Sequence, residues 1–459
     1  MYDRKLGIDD IATCVPELYL DAKDLAETRG LDPNYITKGL GIEKMSITDA
    51  DEDAATMAAM AALKLMKKND LKPEEIGFIH VATETGLDEA KPISCYIQGM
   101  LEQVYGPDSF EHIGAPETKF ACVGATYALL DRLAFIKAGW NREKYAIVIA
   151  TDIAKYDLKS KGERTQGAGA IALLTKNEPR LLTYEPESCS FSTKDDRDFF
   201  RPIGKDTAVF DGQHSIGCYL RDMRIAADQF KKNMISSGKI TLSPGESLSD
   251  YFARISFHPP FPKMAKNAFA SFLMHDWRDL PRWEKIIEQT GTEPNRGGLN
   301  GVEFYINKSY KDFRRKFVET EEFKREYDEK LKDSLEALKL IGNPYTGGVW
   351  MGVDSTFEMN KDDLTGKRFP IGSYGSGGGA IACSFIIQPA YSEVVKKFSL
   401  MEELNKRRRI SFEEYVQLHK GELGVDQCIV KPKNEFVLDH IGDGKNIEDY
   451  GYRYYKYVK

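Results

Sequence analysis

Four short apolar runs set the frame for this chain: Ile76-Gly-Phe-Ile-His-Val-Ala-Thr83, Tyr145-Ala-Ile-Val-Ile-Ala-Thr151, Gly167-Ala-Gly-Ala-Ile-Ala-Leu-Leu174 and Gly377-Gly-Gly-Ala-Ile-Ala-Cys-Ser-Phe-Ile-Ile387. Each has strand length, and none alternates strictly between apolar and polar residues. Such runs suit strands covered on both faces. Between them lie helical patterns: 53–68, with Ala54, Met57, Ala61 and Leu65 on one face, and about 92–104. A further strand is expected at 6–13, and Asp21 is placed to cap a short helix. Strands alternating with helices predict an α/β protein of stacked layers. The small-residue strands 167–174 and 377–387 echo each other, as two duplicated halves would.

The second half is less regular. Residues 184–250 are polar and aromatic and read as a lid or connector. Tyr251–His258 reads as a strand and 262–274 as a helix, while the charged, aromatic stretch 276–335 reads as exposed helices. The chain has 459 residues, enough for two fused cores, and 64 basic against 71 acidic residues give a net charge of −7. That balance argues against a nucleic-acid scaffold, although a local basic patch could hold a phosphorylated ligand. Seven scattered cysteines without CxxC spacing suggest a reduced, cytoplasmic protein, and Met1-Tyr-Asp-Arg-Lys leads into no signal-peptide core. No run is long enough to span a membrane, and the seven histidines show neither HxxxH nor HExxH spacing, so no metal is expected.

The chemistry concentrates at strand ends. Thr118-Lys-Phe-Ala-Cys-Val-Gly-Ala-Thr-Tyr127 reads as a buried strand running into a helix that carries Leu129, Leu133 and Ile136 and stops at Gly139. A thiol at that junction, Cys122, would face unpaired N–H groups and the positive end of the helix dipole, which favour thiolate. Small neighbours (Ala121, Gly124, Ala125) leave room for an acyl group. Glu84 and His258 each follow a predicted strand. A thiol nucleophile, a carboxylate base and an imidazole are what carbon–carbon bond formation between thioesters needs. Alone, each residue has an ordinary structural reading. His80 and His214 are read as structural, Lys406-Arg-Arg-Arg409 as a solvated helix face, and the tail tyrosines as packing. Gly375–Gly379 lacks the Lys-Ser/Thr ending of a phosphate loop and reads as a tight turn with close backbone approach.

Six motifs in order carry a resemblance: Ala82-Thr-Glu84, Ala121-Cys122, Thr165-Gln-Gly-Ala-Gly-Ala170, Phe257-His-Pro-Pro-Phe-Pro-Lys-Met264, Gly342-Asn-Pro-Tyr-Thr346 and Ser373-Tyr-Gly-Ser-Gly377. Together the chain resembles the 3-hydroxy-3-methylglutaryl-CoA synthases, within the thiolase-like superfamily, over nearly its whole length. The resemblance implies a five-layer αβαβα fold of two fused halves, 1–175 with Glu84 and Cys122 and 176–459 with His258 and Asn343. It also implies a homodimer without metal or prosthetic group, acting on acetyl-CoA and acetoacetyl-CoA in the mevalonate route. In it Cys122 is the acetylated nucleophile, Glu84 the general acid/base and His258 the contact to acetoacetyl-CoA. Asp21, Ala22, Thr165, Ser215, Lys263, Asn343 and Ser376 fall where the family binds substrate or product. Two departures stand out. Asn267 replaces a frequent second lysine, with Lys266 beside it as the alternative cation, and about 278–335 is an insertion. Related synthases instead add an acetyl-derived branch to a polyketide held on an acyl carrier protein, which is the alternative reading. A non-catalytic, thiolase-like interaction protein is disfavoured by the intact Glu84, Cys122 and His258.

Overall fold

The computed structural model describes residues 5–140, 144–295, 297–299, 301–445 and 447–459. Among them, one continuous sheet carries nine strands. Across it the order is Ser256–Phe257, Arg368–Gly375, Gly379–Ile387, Leu182–Thr193, Leu6–Cys14, Ala168–Asn177, Tyr145–Ile153, Ile76–Ala82 and Glu117–Thr118. The pairing is parallel only at the two ends, between the first two strands and among the last three, whereas Tyr145–Ile153 pairs antiparallel with Ala168–Asn177.

The two echoing strands hold equivalent places. Ala168–Asn177 runs antiparallel to Leu6–Cys14, the first strand of the first half, and Gly379–Ile387 runs antiparallel to Leu182–Thr193, the first of the second. The halves meet where Gly7 and Ile8 pair with Thr183 and Leu182.

Alternation along the strands sorts side chains into layers. Ile171 and Leu173, and from the other half Ile381, Cys383 and Phe385, pack with Leu129 and Leu133 of the helix Gly124–Lys137 and with Trp350 and Val353 of the helix Gly348–Met359. Those two helices are the middle layer. On the far side of the first half, Ala170, Ala172 and Leu174 face the helices Ala54–Lys68 and Ile93–Tyr105. Ala54–Lys68 begins at Asp53, whose side chain accepts from Ala55 N and Thr56 N, and its buried alanines let it lie close on the sheet. On the far side of the second half, Ala380 and Ala382 face the helices Gly212–Ser236 and Pro262–Trp277. Five layers, αβαβα, result.

Several expectations need correcting. Residues 184–250 are not a connector: they hold most of the twelve-residue strand Leu182–Thr193 and all of the 25-residue helix Gly212–Ser236. That helix has polar residues enough to hide its buried stripe of Tyr219, Met223, Ala226 and Phe230 from a reading by composition. In 251–258 only Ser256–Phe257 is strand, because a 3-10 turn, Leu248–Tyr251, precedes it. The helices of 276–335 are not simply exposed. Trp283, Phe304, Phe313, Phe317 and Phe323 join the core of the second half beside Phe269 and Trp277. Lys406–Arg409 is not a helix face, since the helix ends at Lys406, Arg407 is buried on Leu340 O and Ser46 Oγ, and Arg408–Arg409 pairs with Leu18–Tyr19. No helix among the described residues is long and apolar enough to cross a membrane.

Candidate active site

Cys122 lies between a two-residue strand, Glu117–Thr118, and the helix that starts at Gly124. The expected long buried strand is absent, and a tight turn replaces it. Its preceding residue, Ala121, sits at φ +38°. A non-glycine residue rarely adopts that region, and such strain collects where a side chain must be aimed. The other half repeats the device: Tyr345 sits at φ +42°, three residues before the helix Gly348–Met359. Gly375 backs the Cys122 turn, where a Cβ would lie 2.9 Å from Val123 N.

The thiol of Cys122 donates to Glu84 Oε1 at 3.0 Å, and both residues are buried. Burial, then the Glu84 carboxylate, holds the thiol well above its ordinary range. The expected thiolate is therefore not the resting form: loss of water outweighs the helix terminus. Glu84 is itself pushed up to about 8, by burial and by the Asp152 carboxylate. Arg201 opposes that shift. The thiol keeps its proton at neutral pH, while Glu84, titrating near 8, is carboxylate in a fraction of molecules, so activation of the sulfur falls to that adjacent base.

Asp152 fixes this pair. Its Oδ1 accepts from Glu84 N at 2.8 Å, Thr85 N at 3.0 Å and the Thr83 hydroxyl at 2.9 Å. Its Oδ2 accepts from Thr346 N at 3.0 Å and from the Thr346 hydroxyl. One buried carboxylate thus joins the end of the Glu84 strand to the second half of the chain.

Aromatic rings pack around Cys122. Tyr156, Tyr345, Phe199 and Phe210 cluster around Cys122, with Tyr156 and Tyr345 ring centres 6.4 Å apart. Thr165 and Asn343 belong to the same chain of contacts. Asn343 N donates to Thr165 O at 3.1 Å, and Asn343 Oδ1 accepts from Tyr345 N at 3.0 Å. Asp198 ties Ser215 to the turn that carries Ser376. Ser215 Oγ donates to Asp198 O at 2.9 Å, while the Asp198 carboxylate accepts from Gly377 N at 2.7 Å and the Tyr374 hydroxyl at 3.0 Å.

His258 is buried, its N–H donating to Gly372 O and its carbonyl accepting from the Tyr219 hydroxyl. Burial lowers its imidazole to about 3, so the ring is neutral. Its Nδ1 is buried without a hydrogen-bond partner. Buried polar atoms are seldom left unmet, so this nitrogen is open to a water or a ligand.

The remaining expected residues stand apart. Asp21 caps the helix Ala22–Thr28, its side chain accepting from Lys23 N at 2.9 Å, and Ala22 is buried in a satellite cluster. That cluster reaches the start of the helix Pro262–Trp277 at Gly41, where a Cβ would lie 3.1 Å from Pro262 Cβ and 3.6 Å from Lys263 N. Lys263 is exposed there. Lys266 points elsewhere, its Nζ lying 4.5 Å from the Tyr327 ring centre.

Comparison with known proteins settles the ancestry. The sequence models described as hydroxymethylglutaryl-coenzyme A synthase N terminal and C terminal match residues 2–179 and 188–434. The chain belongs to the hydroxymethylglutaryl-CoA synthase family. It is 35% identical to hydroxymethylglutaryl-CoA synthase of Haloferax volcanii over 99% of both chains, and 30% identical to that of Enterococcus faecalis over 92% of this chain and 93% of the other. Among solved structures it is similar to MvaS in complex with 3-hydroxy-3-methylglutaryl coenzyme A, at a TM-score of 0.85, 31% identity and full coverage of both chains. The HMG synthase of the curacin biosynthetic pathway has the same fold at 21% identity, TM-score 0.77, covering 99% of this chain and all of the other. The thiolase-like layering expected for the family is therefore the one observed.

Sequence reasoning missed Asp152, Asp198, Tyr156 and Tyr345 as site residues. Asp152 had a signal: like Glu84, it is a carboxylate closing an apolar run. Tyr345 lay inside a quoted motif. Asp198 sat in the stretch misread as a connector.

Proposed function

We propose that this synthase condenses acetyl-CoA with acetoacetyl-CoA and releases 3-hydroxy-3-methylglutaryl-CoA and CoA, in the cytoplasm and for the mevalonate route to isoprenoids. The observation that carries the reading is the buried 3.0 Å contact from the Cys122 thiol to Glu84. Cys122 sulfur attacks the acetyl-CoA carbonyl, its proton passes to Glu84, and CoA leaves as the thiol with that proton. Glu84 then takes a proton from the methyl group of the acetyl-enzyme. The enolate carbon attacks the ketone of acetoacetyl-CoA, and Glu84 returns the proton to the new alkoxide. Water cleaves the Cys122 thioester, restoring the thiol. A pKa near 8 suits a group that must both take and give a proton close to neutral pH.

His258, neutral in its dry pocket, serves as a hydrogen-bonding group that orients and polarises acetoacetyl-CoA. Thr165, Ser215, Asn343 and Ser376 are assigned to hold substrate and product, and Asp21, Ala22, Lys263 and Lys266 to the CoA side. All seven cysteines are free, which suits a reducing compartment. A homodimer is the assembly assigned, and the sheet edge at Glu117–Thr118 is the surface to examine for it. The steps use side chains alone, without metal or prosthetic group.

Support for CoA over an acyl carrier protein comes from the relatives at 35% and 30% identity, both named as hydroxymethylglutaryl-CoA synthases. The test is to supply acetyl-CoA with acetoacetyl-CoA and look for 3-hydroxy-3-methylglutaryl-CoA by mass spectrometry. Formation of that product is expected. Turnover only when both acyl groups ride on a carrier protein would overturn the assignment.

A further inference from the structure

Beside the segment that carries Asp198, three side chains with ligating atoms converge. A carboxylate oxygen of Asp196, an imidazole nitrogen of His214 and the sulfur of Cys218 all lie within 4.8 Å of one another. His214 and Cys218 are four residues apart on the helix Gly212–Ser236, one turn up the same face. The cap at Asp211 holds the first turn, accepting from Gln213 N and His214 N. Cys218 is wholly buried. Arg221 neighbours the group, but it holds Asp196 chiefly through Oδ2. Its contact to Oδ1 is long, 3.4 Å, so one carboxylate oxygen stays available.

The geometry points to a binding site for a divalent cation of the zinc class, formed by Asp196, His214 and Cys218 with one coordination position open. The ligand set selects the ion. One sulfur, one nitrogen and one oxygen suit zinc and its neighbours, whereas magnesium and calcium prefer oxygen alone. Ligands at roughly 2.0–2.3 Å in tetrahedral array stand roughly 3.3–3.8 Å apart, so the three need only draw together slightly. Binding exchanges the thiol proton for a metal–sulfur bond, and the proton leaves to solvent.

The site is separate from the condensation chemistry, yet connected to it. Asp196 is two residues from Asp198, which holds Ser215, Tyr374 and Gly377. An ion here would pin the 194–199 segment to the helix Gly212–Ser236 and so steady one wall of the pocket. His214 is thereby assigned a ligand role in place of the structural one its sequence suggested. The ligand spacing in the sequence is His-x3-Cys, not the paired histidines of the common zinc motifs.

Cobalt titration tests this. The Cys122→Ala protein is used so that the reactive thiol cannot supply the signal. One Co2+ per chain should bind with a thiolate-to-cobalt charge-transfer band that Zn2+ then displaces. Cys218→Ser in the same background should abolish the band. His214→Ala, at a partly exposed position, should keep the helical circular dichroism while weakening Co2+ binding by about tenfold or more, at least the loss seen for outer-shell partners. Absence of a thiolate band, or a band that survives both substitutions unchanged, would overturn the site.

Discussion

The backbone N–H of Glu84 donates to the Asp152 carboxylate at 2.8 Å, so one buried acid fixes the position of another and raises its pKa. Asp152 is therefore a positioning residue. In Asp152→Asn one oxygen survives, but an NH2 group faces Thr346 N and leaves that donor unpaired, at a cost of about 1–3 kcal/mol. Condensation should fall by about 10²-fold, the scale of a misplaced catalytic group. Removing the charge should also let Glu84 ionise at lower pH. The acidic limb of the kcat/KM profile, set near 8 in the wild type, should move down. A limb that stays in place would contradict this coupling.

Stability should carry the same signature. The carboxyl of Glu84 stands near 8 in the folded protein against 4.5 as its ordinary value. Below pH 4.5 both states hold the proton. As pH rises toward 8 the unfolded chain releases it and the folded chain does not, so stability is lost across that window and levels off above it. Glu84→Gln should therefore gain on the wild type from pH 5 to pH 8.5, by up to a few kcal/mol at about 1.4 kcal/mol per unit of pKa difference. Unfolding midpoints at the two pH values would show it, and equal differences at both would refute it.

The strained turn before Cys122 can be tested more sharply. Ala121 at φ +38° should accept glycine with no loss, or a gain of up to about 1 kcal/mol, because glycine adopts that conformation freely. Ala121→Val should cost about 1–3 kcal/mol and should slow acetylation of Cys122 as well. Mass spectrometry of the acetyl adduct, alongside thermal unfolding, separates the two effects. Wild-type acetylation in Ala121→Val would show that the turn does not aim the sulfur.

The layered fold was legible because its strands are apolar on both faces, as at Tyr145–Ala150, and its outer helix is alanine-rich, as at Ala54–Ala62. Glu84 and His258, each ordinary alone, were legible only through the motifs Ala82-Thr-Glu84 and Phe257-His-Pro-Pro-Phe-Pro-Lys-Met264 around them. The helix Gly212–Ser236 was not, since its buried stripe is diluted by Arg221, Asp222 and Arg224, whose charges are met by one another and by Asp196 and Asp228. The protonation of Cys122 was also beyond local reading. A helix start in sequence promises thiolate, but burial and a carboxylate 38 residues away decide otherwise.

Lys263, exposed at the start of its helix, should bind CoA without taking part in the chemistry. Lys263→Ala should raise KM for the CoA substrates more than it lowers kcat, and added salt should narrow the difference from wild type. A fall in kcat at constant KM would assign it another role.

The proposed mechanism divides the labour between Glu84 as base and His258 as orienting group. Both Glu84→Ala and His258→Ala should still acetylate Cys122, though Glu84→Ala should do so more slowly, and Glu84→Ala should lose condensation by roughly 10²–10⁴-fold. The direct measurement is exchange of the acetyl methyl hydrogens with deuterated water, made on the acetyl-enzyme with an unreactive acetoacetyl-CoA analogue present. The account predicts exchange in the wild type, its loss in Glu84→Ala, and its persistence in His258→Ala. Exchange that survives in Glu84→Ala and vanishes in His258→Ala would contradict it.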